Sequence, residues 1–384
     1  MPIHFSETEL DNRSKAVCRT LQERKLDALL MFRQESMYWL TGYDTFGYSM
    51  FQCLILKSDG TISLLTRAPD LRTAWYTSII KDVRIWVDRE GMNPAGDLKE
   101  VLVSHKLQGK RIGIELASYG LTAFHWLQVQ SALNGFCEWE DASNLVSEHR
   151  AIKSPAELVY VRKAAQLADQ ALDEAARLSR AGAFEGDILA AMQGAVFRGG
   201  GDYAGNEFII GSGDGALMVR YITGRRHLET NDQLTLEFAG AYRRYHACLM
   251  RTILVGRPDP RNIDMYNVCR DAMFAAQEKV KPGNTMGEVF DAQAKVIDDG
   301  GYGDHRFHAC GYGLGAVYTP LWVDPPMFYK GNPVVIRPNM VFFLHMILPN
   351  YDTKRAMTLG HTVLVTDKGC DPLSGRTLDL IING

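Results

Sequence analysis

Cysteine is sparse and scattered in this chain of 384 residues: Cys18, Cys53, Cys137, Cys248, Cys269, Cys310 and Cys370 are odd in number, far apart and form no Cys-x-x-Cys pair. That spacing speaks against a zinc ribbon or a disulfide framework, so reduced thiols in a cytoplasm are expected. No stretch approaches the roughly 18 apolar residues of a membrane span. The start, MPIHFSETELDNRSK, lacks a basic region followed by an apolar run, so neither secretion nor a membrane anchor is expected. Charge of one sign is missing too: 42 Lys and Arg against 45 Asp and Glu leave a net charge of -3, with the basic residues dispersed. Neither nucleic acid nor a membrane surface is implied as a partner, which leaves a small molecule. The glycine-rich stretches FRGGGDYAGN and GSGDGA lack the GxxxxGK(S/T) arrangement of a phosphate loop and read as substrate-side loops. A nucleophile elbow, a repeat of solenoid period and a low-complexity tract are likewise missing.

What is present is a globular composition, 46% hydrophobic and 23% charged, enough for two domains and two cores. Residues 1–150 alternate helical and strand-like segments. An amphipathic stretch follows SETELDNR, then comes the apolar DALLMF, then FQCLILKSDGTISLLTR, where Ser58-Asp59-Gly60 separates two apolar runs as a hairpin turn does. A compact α/β unit is expected there. The texture changes near residue 150: Ser154 can cap a helix, Pro155 suits its first position and Glu157 completes a capping box. Leu158, Val161, Ala165, Ala168 and Leu172 then recur at helical spacing as a core-facing stripe, leaving Lys163, Asp169 and Asp173 to solvent. Beyond it, DQLTLEFAGAYRRYHACLMRTILVG reads as two strands about a Gly240-Ala241 turn, MYNVCRDAMFAAQEKV as a helix, and NMVFFLHMILP and HTVLVTDKG as buried strands.

Taken in order, IKSPAELVYVRKAAQLAD, the hairpin ending RTILVG, GYGLG, RPNMVFFLHMI and TVLVTDKG resemble the creatinase and aminopeptidase P family, M24. The resemblance spans nearly the whole chain. It implies an α/β protein with an N-terminal creatinase-like domain over residues 1–150 and a C-terminal pita-bread catalytic domain over residues 151–384. In the metallopeptidases of that family two aspartates, a histidine and two glutamates hold two metal ions, and the matching positions here are Glu237, Cys248, Tyr312, His345 and Gly360. One carboxylate among five positions cannot neutralise two hard cations, so neither a dinuclear centre nor another cofactor is expected. Creatinase and the ectoine hydrolases resemble this chain in lacking the metal set, and both open C–N bonds in small amidine-like zwitterions. LEFAGAYRRYHACLMRT looks more like the ectoine-hydrolase branch, and the position of creatinase's proton-shuttling histidine falls at Arg220. The likeness further implies a homodimer, in which the Phe46 to Gln52 segment of a second subunit completes the site.

Glu237, between Leu236 and Phe238 in an expected strand, is the leading catalytic candidate, because a buried carboxylate needs a partner or a use. An ion pair with Arg251 is the structural reading; general-base catalysis, with burial raising the pKa, is the functional one. His246 and Cys248 stand two apart and project to one strand face, which across the hairpin can include Glu237. A mononuclear metal site from these three with His345 or His361 stands beside their reading as ordinary core residues. By the resemblance, His308, His345 and His361 surround the reaction centre, and His345 is the one polar side chain in FFLHMIL. Arg220 and Arg251 can fork onto a substrate carboxylate, while Tyr312, Trp322, Phe46 and Tyr48 offer walls for a small cation. The expected reaction is metal-independent hydrolysis of a C–N bond in a small zwitterionic amidine or amide, with Glu237 activating water and a histidine protonating the leaving nitrogen. A metal-dependent Xaa-Pro peptidase or sulfonium lyase with a rebuilt site, and a ligand-binding protein without chemistry, remain as alternatives.

Overall fold

A computed structural model describes residues 3–220 and 224–384. The chain divides into two compact units, Met1–Arg150 and Ala151–Gly384. Among the described residues no helix is long and apolar enough to cross a membrane.

The first unit is built on a six-stranded mixed sheet. Its strands are β1 (Ala28–Met31), β2 (Cys53–Lys57), β3 (Ile62–Arg67), β4 (Asp82–Trp86), β5 (Arg111–Ile114) and β6 (Glu138–Asp141), in the order β4-β3-β2-β1-β5-β6. Strands β2 and β3 form the expected hairpin, with Gly60 at φ 91° in the turn, a conformation that glycine adopts without strain. All four residues of β1 are buried, which is why DALLMF is continuously apolar rather than alternating: the strand is covered on both faces.

In the second unit the helix Pro155–Leu178 starts as its sequence dictates. The Ser154 hydroxyl accepts from the Glu157 amide at 3.3 Å, and the Ser154 amide donates to the Glu157 carboxylate at 2.9 Å. Asp169, expected in solvent, is instead buried, because the C-terminal segment folds over it. Its carboxylate accepts from Ser374 Oγ at 2.5 Å and from the Gly375 amide at 2.7 Å.

The nine-stranded sheet of this unit contains β7 (Ile209–Ser212), β8 (Asp232–Tyr242), β9 (Tyr245–Val255), β10 (Ala309–Gly313), β11 (Asp324–Tyr329), β12 (Val341–Asn350) and β13 (Arg355–Val365). Two short strands complete it, β14 (Cys370–Pro372) and β15 (Ile381–Asn383). The main path runs β11-β10-β12-β13-β9-β8-β7, with β14 beside β13 and β15 parallel to β9. The β8–β9 turn lies at Arg243-Arg244, both in the left-handed region at φ 48° and 67°, and not at Gly240-Ala241 as the sequence suggests. Gly240 has another reason to be glycine. A Cβ there would stand 2.0 Å from the Ala164 carbonyl oxygen, so the missing side chain lets the Pro155–Leu178 helix lie directly on the sheet.

Candidate active site

Period-two alternation and strand register decide which polar side chains meet. Glu237 lies opposite Met250 across β8–β9, and His345 lies opposite Gly360 across β12–β13, while Gly360 in turn pairs with Met250. Tyr312 on β10 pairs with Phe343 on β12, two residues before His345 and so on the same face. Together Glu237, Tyr312 and His345 line a cavity of about 330 Å³. Its other walls are Arg220, Trp322 and Asn206, with apolar side chains such as Ile209, Phe307 and Ile347 filling the gaps. Glu237 is the only carboxylate among the described lining residues.

The electrostatics follow from this enclosure. One side of Glu237 looks into the cavity and protein surrounds the rest. Desolvation pushes its carboxyl from 4.5 up to about 7, opposed by the Tyr312 hydrogen bond and the Arg220 charge. The Tyr312 hydroxyl donates to Glu237 Oε1 at 3.2 Å and accepts from the Trp322 indole N–H at 2.7 Å. Burial, then the Glu237 charge, raise the Tyr312 phenol well above its usual range, so it stays protonated. His345 is packed against the rings of Phe343 and Tyr312 at centroid distances of 5.5 and 5.7 Å, and its Nδ1 is buried with no hydrogen-bond partner among the described residues. Burial lowers its pKa to about 4, so the imidazole is neutral near pH 7.

Other residues singled out from the sequence lie elsewhere. His361 sits opposite Leu344, one position out of step with Gly360. It therefore faces the helix Pro260–Lys279, where its Nε2 hydrogen-bonds the Gln277 amide. Arg251 pairs with Leu236, not Glu237, and faces away from the carboxylate, so the ion pair of the structural reading does not form. Its guanidinium donates to the carbonyls of Met250, Gly360 and Thr377 at 2.8, 2.7 and 3.0 Å, and clamps the C-terminal segment onto the sheet. His246 shares a strand face with Glu237 but lies at the hairpin end. There its Nδ1 donates to the Arg244 carbonyl at 2.8 Å and its Nε2 accepts from the Gly205 amide at 2.8 Å, leaving no nitrogen for a substrate. Cys248, opposite Ala239 and so on the sheet face of Glu237, is fully buried, and desolvation, then the Glu237 charge, raise its thiol well above the usual range. His308 is exposed just outside the cavity, between the lining residues Phe307 and Ala309. Phe46 and Tyr48 belong to the first unit, flanking or within the turn Gly47–Ser49, and Phe46 is 82% exposed.

The five positions matching the metallopeptidase ligands do not suit two cations. A Cβ on Gly360 would stand 2.8 Å from the Phe343 ring, which occupies the space a glutamate side chain would need. With a phenol at Tyr312 and a thiol at Cys248, Glu237 is the one carboxylate of the five, and among the described residues no group of three His, Cys, Asp or Glu side chains could hold a metal ion. Phe343 was not among the sequence candidates, although it stands two residues before His345 and period two places both on one face. Asn206 carried no signal of its own, because a loop brings it to the cavity.

The Creatinase/Prolidase N-terminal domain model matches residues 13–152, and that of metallopeptidase family M24 matches residues 159–367. The chain belongs to family M24. It is 25% identical to the ectoine hydrolase of Halomonas elongata over 98% of each chain. It is equally similar, at 25%, to the Xaa-Pro dipeptidase of Pyrococcus furiosus, over 64% of this chain and 69% of that one. The prolidase from Thermococcus sibiricus superposes with a TM-score of 0.88 at 20% identity, covering 98% of this chain and all of its own. The second unit thus has the pita-bread fold of the M24 hydrolases.

Proposed function

We propose that this M24 member hydrolyses a C–N bond in a small zwitterionic amidine or amide without a metal ion. The observation that carries the reading is Glu237, the lone carboxylate among the described residues lining a cavity of about 330 Å³, with its carboxyl raised to about 7. A base works best when its pKa lies near the working pH. Ionised Glu237 takes a proton from water as the water oxygen bonds to the scissile carbon. The C–N bond then breaks, and the leaving nitrogen receives that same proton back from Glu237. No histidine relay is needed: His246 and His361 do not reach the cavity, and His345 is neutral near pH 7 and a poor acid. The same carboxylate favours a substrate cation deep in the cavity, and Arg220 among its lining residues suits a substrate carboxylate. The volume fits a molecule of metabolite size. The ectoine hydrolase likeness supports this class, whereas a peptidase reading needs a metal set that Gly360, Tyr312 and Cys248 do not supply.

The test is turnover by chelator-treated protein, with metal content measured, on ectoine, related amidine and amide zwitterions, and an Xaa-Pro dipeptide. A zwitterion hydrolysed at a rate indifferent to chelation is the expected result. Activity confined to the dipeptide, or abolished by chelation and restored by added manganese or zinc, would overturn the reading.

A further inference from the structure

We infer that Tyr312 is a catalytic residue, whose phenol donates a hydrogen bond to the oxygen or nitrogen that gains electron density as its carbon is attacked, and that Trp322 is the positioning residue that aims it. This rests on the hydrolytic reading above. An indole N–H can only donate. Standing 2.7 Å from the Tyr312 oxygen, it occupies an acceptor site on that oxygen and directs the phenol's single proton away from Trp322, towards the cavity and Glu237.

The resting bond from Tyr312 to Glu237 is 3.2 Å, whereas O–H donors to a carboxylate usually close to about 2.5–2.7 Å. The donor is therefore loosely engaged. When Glu237 accepts the proton of water it loses its charge, and the acceptor that held the phenol weakens. In that same step an electron pair shifts onto the oxygen or nitrogen bound to the attacked carbon, so that an amide oxygen becomes an oxyanion and an amidinium nitrogen a neutral amine with a lone pair to accept. The phenol proton then turns to the stronger acceptor, and its oxygen need not move, because the indole holds it and the rings of Phe343 and His345 flank it. Trp322 and Tyr312 are 2% and 6% exposed, so the bonds form where water competes weakly.

Tyr312→Phe should lower kcat by roughly 100- to 1000-fold, the scale of losing one such donor, with substrate Kd unchanged. Trp322→Phe should cost about tenfold, and the double variant should be no slower than Tyr312→Phe alone, since Trp322 acts through Tyr312. Multiplying losses, or unchanged turnover per folded molecule with an earlier melt, would overturn the inference. A second readout needs no substrate: with carbon-13 in the tyrosine ζ position, the resonance that Tyr312→Phe removes should shift in Glu237→Gln and in Trp322→Phe. If it shifts in neither, the relay is absent whatever the reaction. If it shifts and no zwitterion is hydrolysed, the reaction assigned above falls while the relay stands.

Discussion

Two carboxylates, one in each unit, are raised well above the usual carboxylate range and keep different company. Glu115 and Glu237 are both raised from 4.5 to about 7, by desolvation before any other cause. Glu115, just beyond β5, is 1% exposed and has a donor for each oxygen: Ser36 Oγ at 2.6 Å and the Arg33 amide at 3.1 Å. The Arg33 and Arg150 charges add to the support of its ionised form. Glu237 has one loose donor and a cavity. A perturbed carboxyl is therefore not sufficient to mark a site. What separates the two is an oxygen left available to something from outside the chain.

The largest effect that sharpens this contrast is on turnover. Glu237→Gln keeps the volume and removes the base, so turnover should fall by about two to four orders of magnitude with the melting temperature nearly unchanged. Glu115→Gln should do the reverse. Its amide nitrogen can no longer accept from Ser36 or Arg33, and leaving a buried donor unmatched costs about 1–3 kcal/mol, to be read below pH 4.5, where the wild-type carboxyl is protonated and no buried charge is relieved by the change. Activity per folded molecule should stay normal. Measuring both quantities on both variants decides the matter, and a Glu237→Gln protein that melts early but turns over normally would return Glu237 to a structural role.

Much of this was readable in the chain. Ser154, Pro155 and Glu157 announced their helix because capping is local, and Glu237 stood out because Leu236 and Phe238 imply burial. The histidines were not separable in that way. His345 and His361 are both polar side chains in apolar strands, and only the register placing His345 opposite Gly360 shows that His361 must face the other side. Register between strands depends on pairing rather than on the local pattern. Gly240 misled for a related reason: glycine serves turns and close contacts alike, and the helix that needs the contact lies some seventy residues upstream.

The pH dependence separates the two carboxylates with a smaller effect. For catalysis the ionised form is active, so turnover should fall as pH drops through about 7 in the wild type and in Glu115→Gln alike. For stability, Glu115 binds its proton more tightly folded than unfolded. Its contribution is full below about 4.5 and is lost as pH rises through about 7. The shift corresponds to roughly 3 kcal/mol across that window. His246, His345 and His361, lowered to about 4, 4 and 3, act in the opposite sense, since their contribution is lost as pH falls below 6.5. The difference between wild-type and Glu115→Gln unfolding curves, not either curve alone, therefore isolates Glu115. A difference that stays flat from 4.5 to 7 would mean that the carboxyl titrates normally in the fold.

The smallest effect comes from deleting a donor rather than the acid. Ser36 is fully buried, and its hydroxyl holds the Glu115 carboxylate at 2.6 Å. Ser36→Ala removes an influence that favours the ionised form, so the Glu115 pKa should rise further. Stability should drop by about 1 kcal/mol above pH 7, where the carboxylate is charged, and by less below 4.5, where it is already protonated. Turnover and its pH midpoint should not move. The corresponding deletion at Glu237, Tyr312→Phe, should instead appear in turnover, because that donor faces a cavity where substrate can take it over. If Ser36→Ala slows the reaction per folded molecule, the buried acid of the first unit is coupled to the active site of the second, and the two carboxylates can no longer be treated as independent.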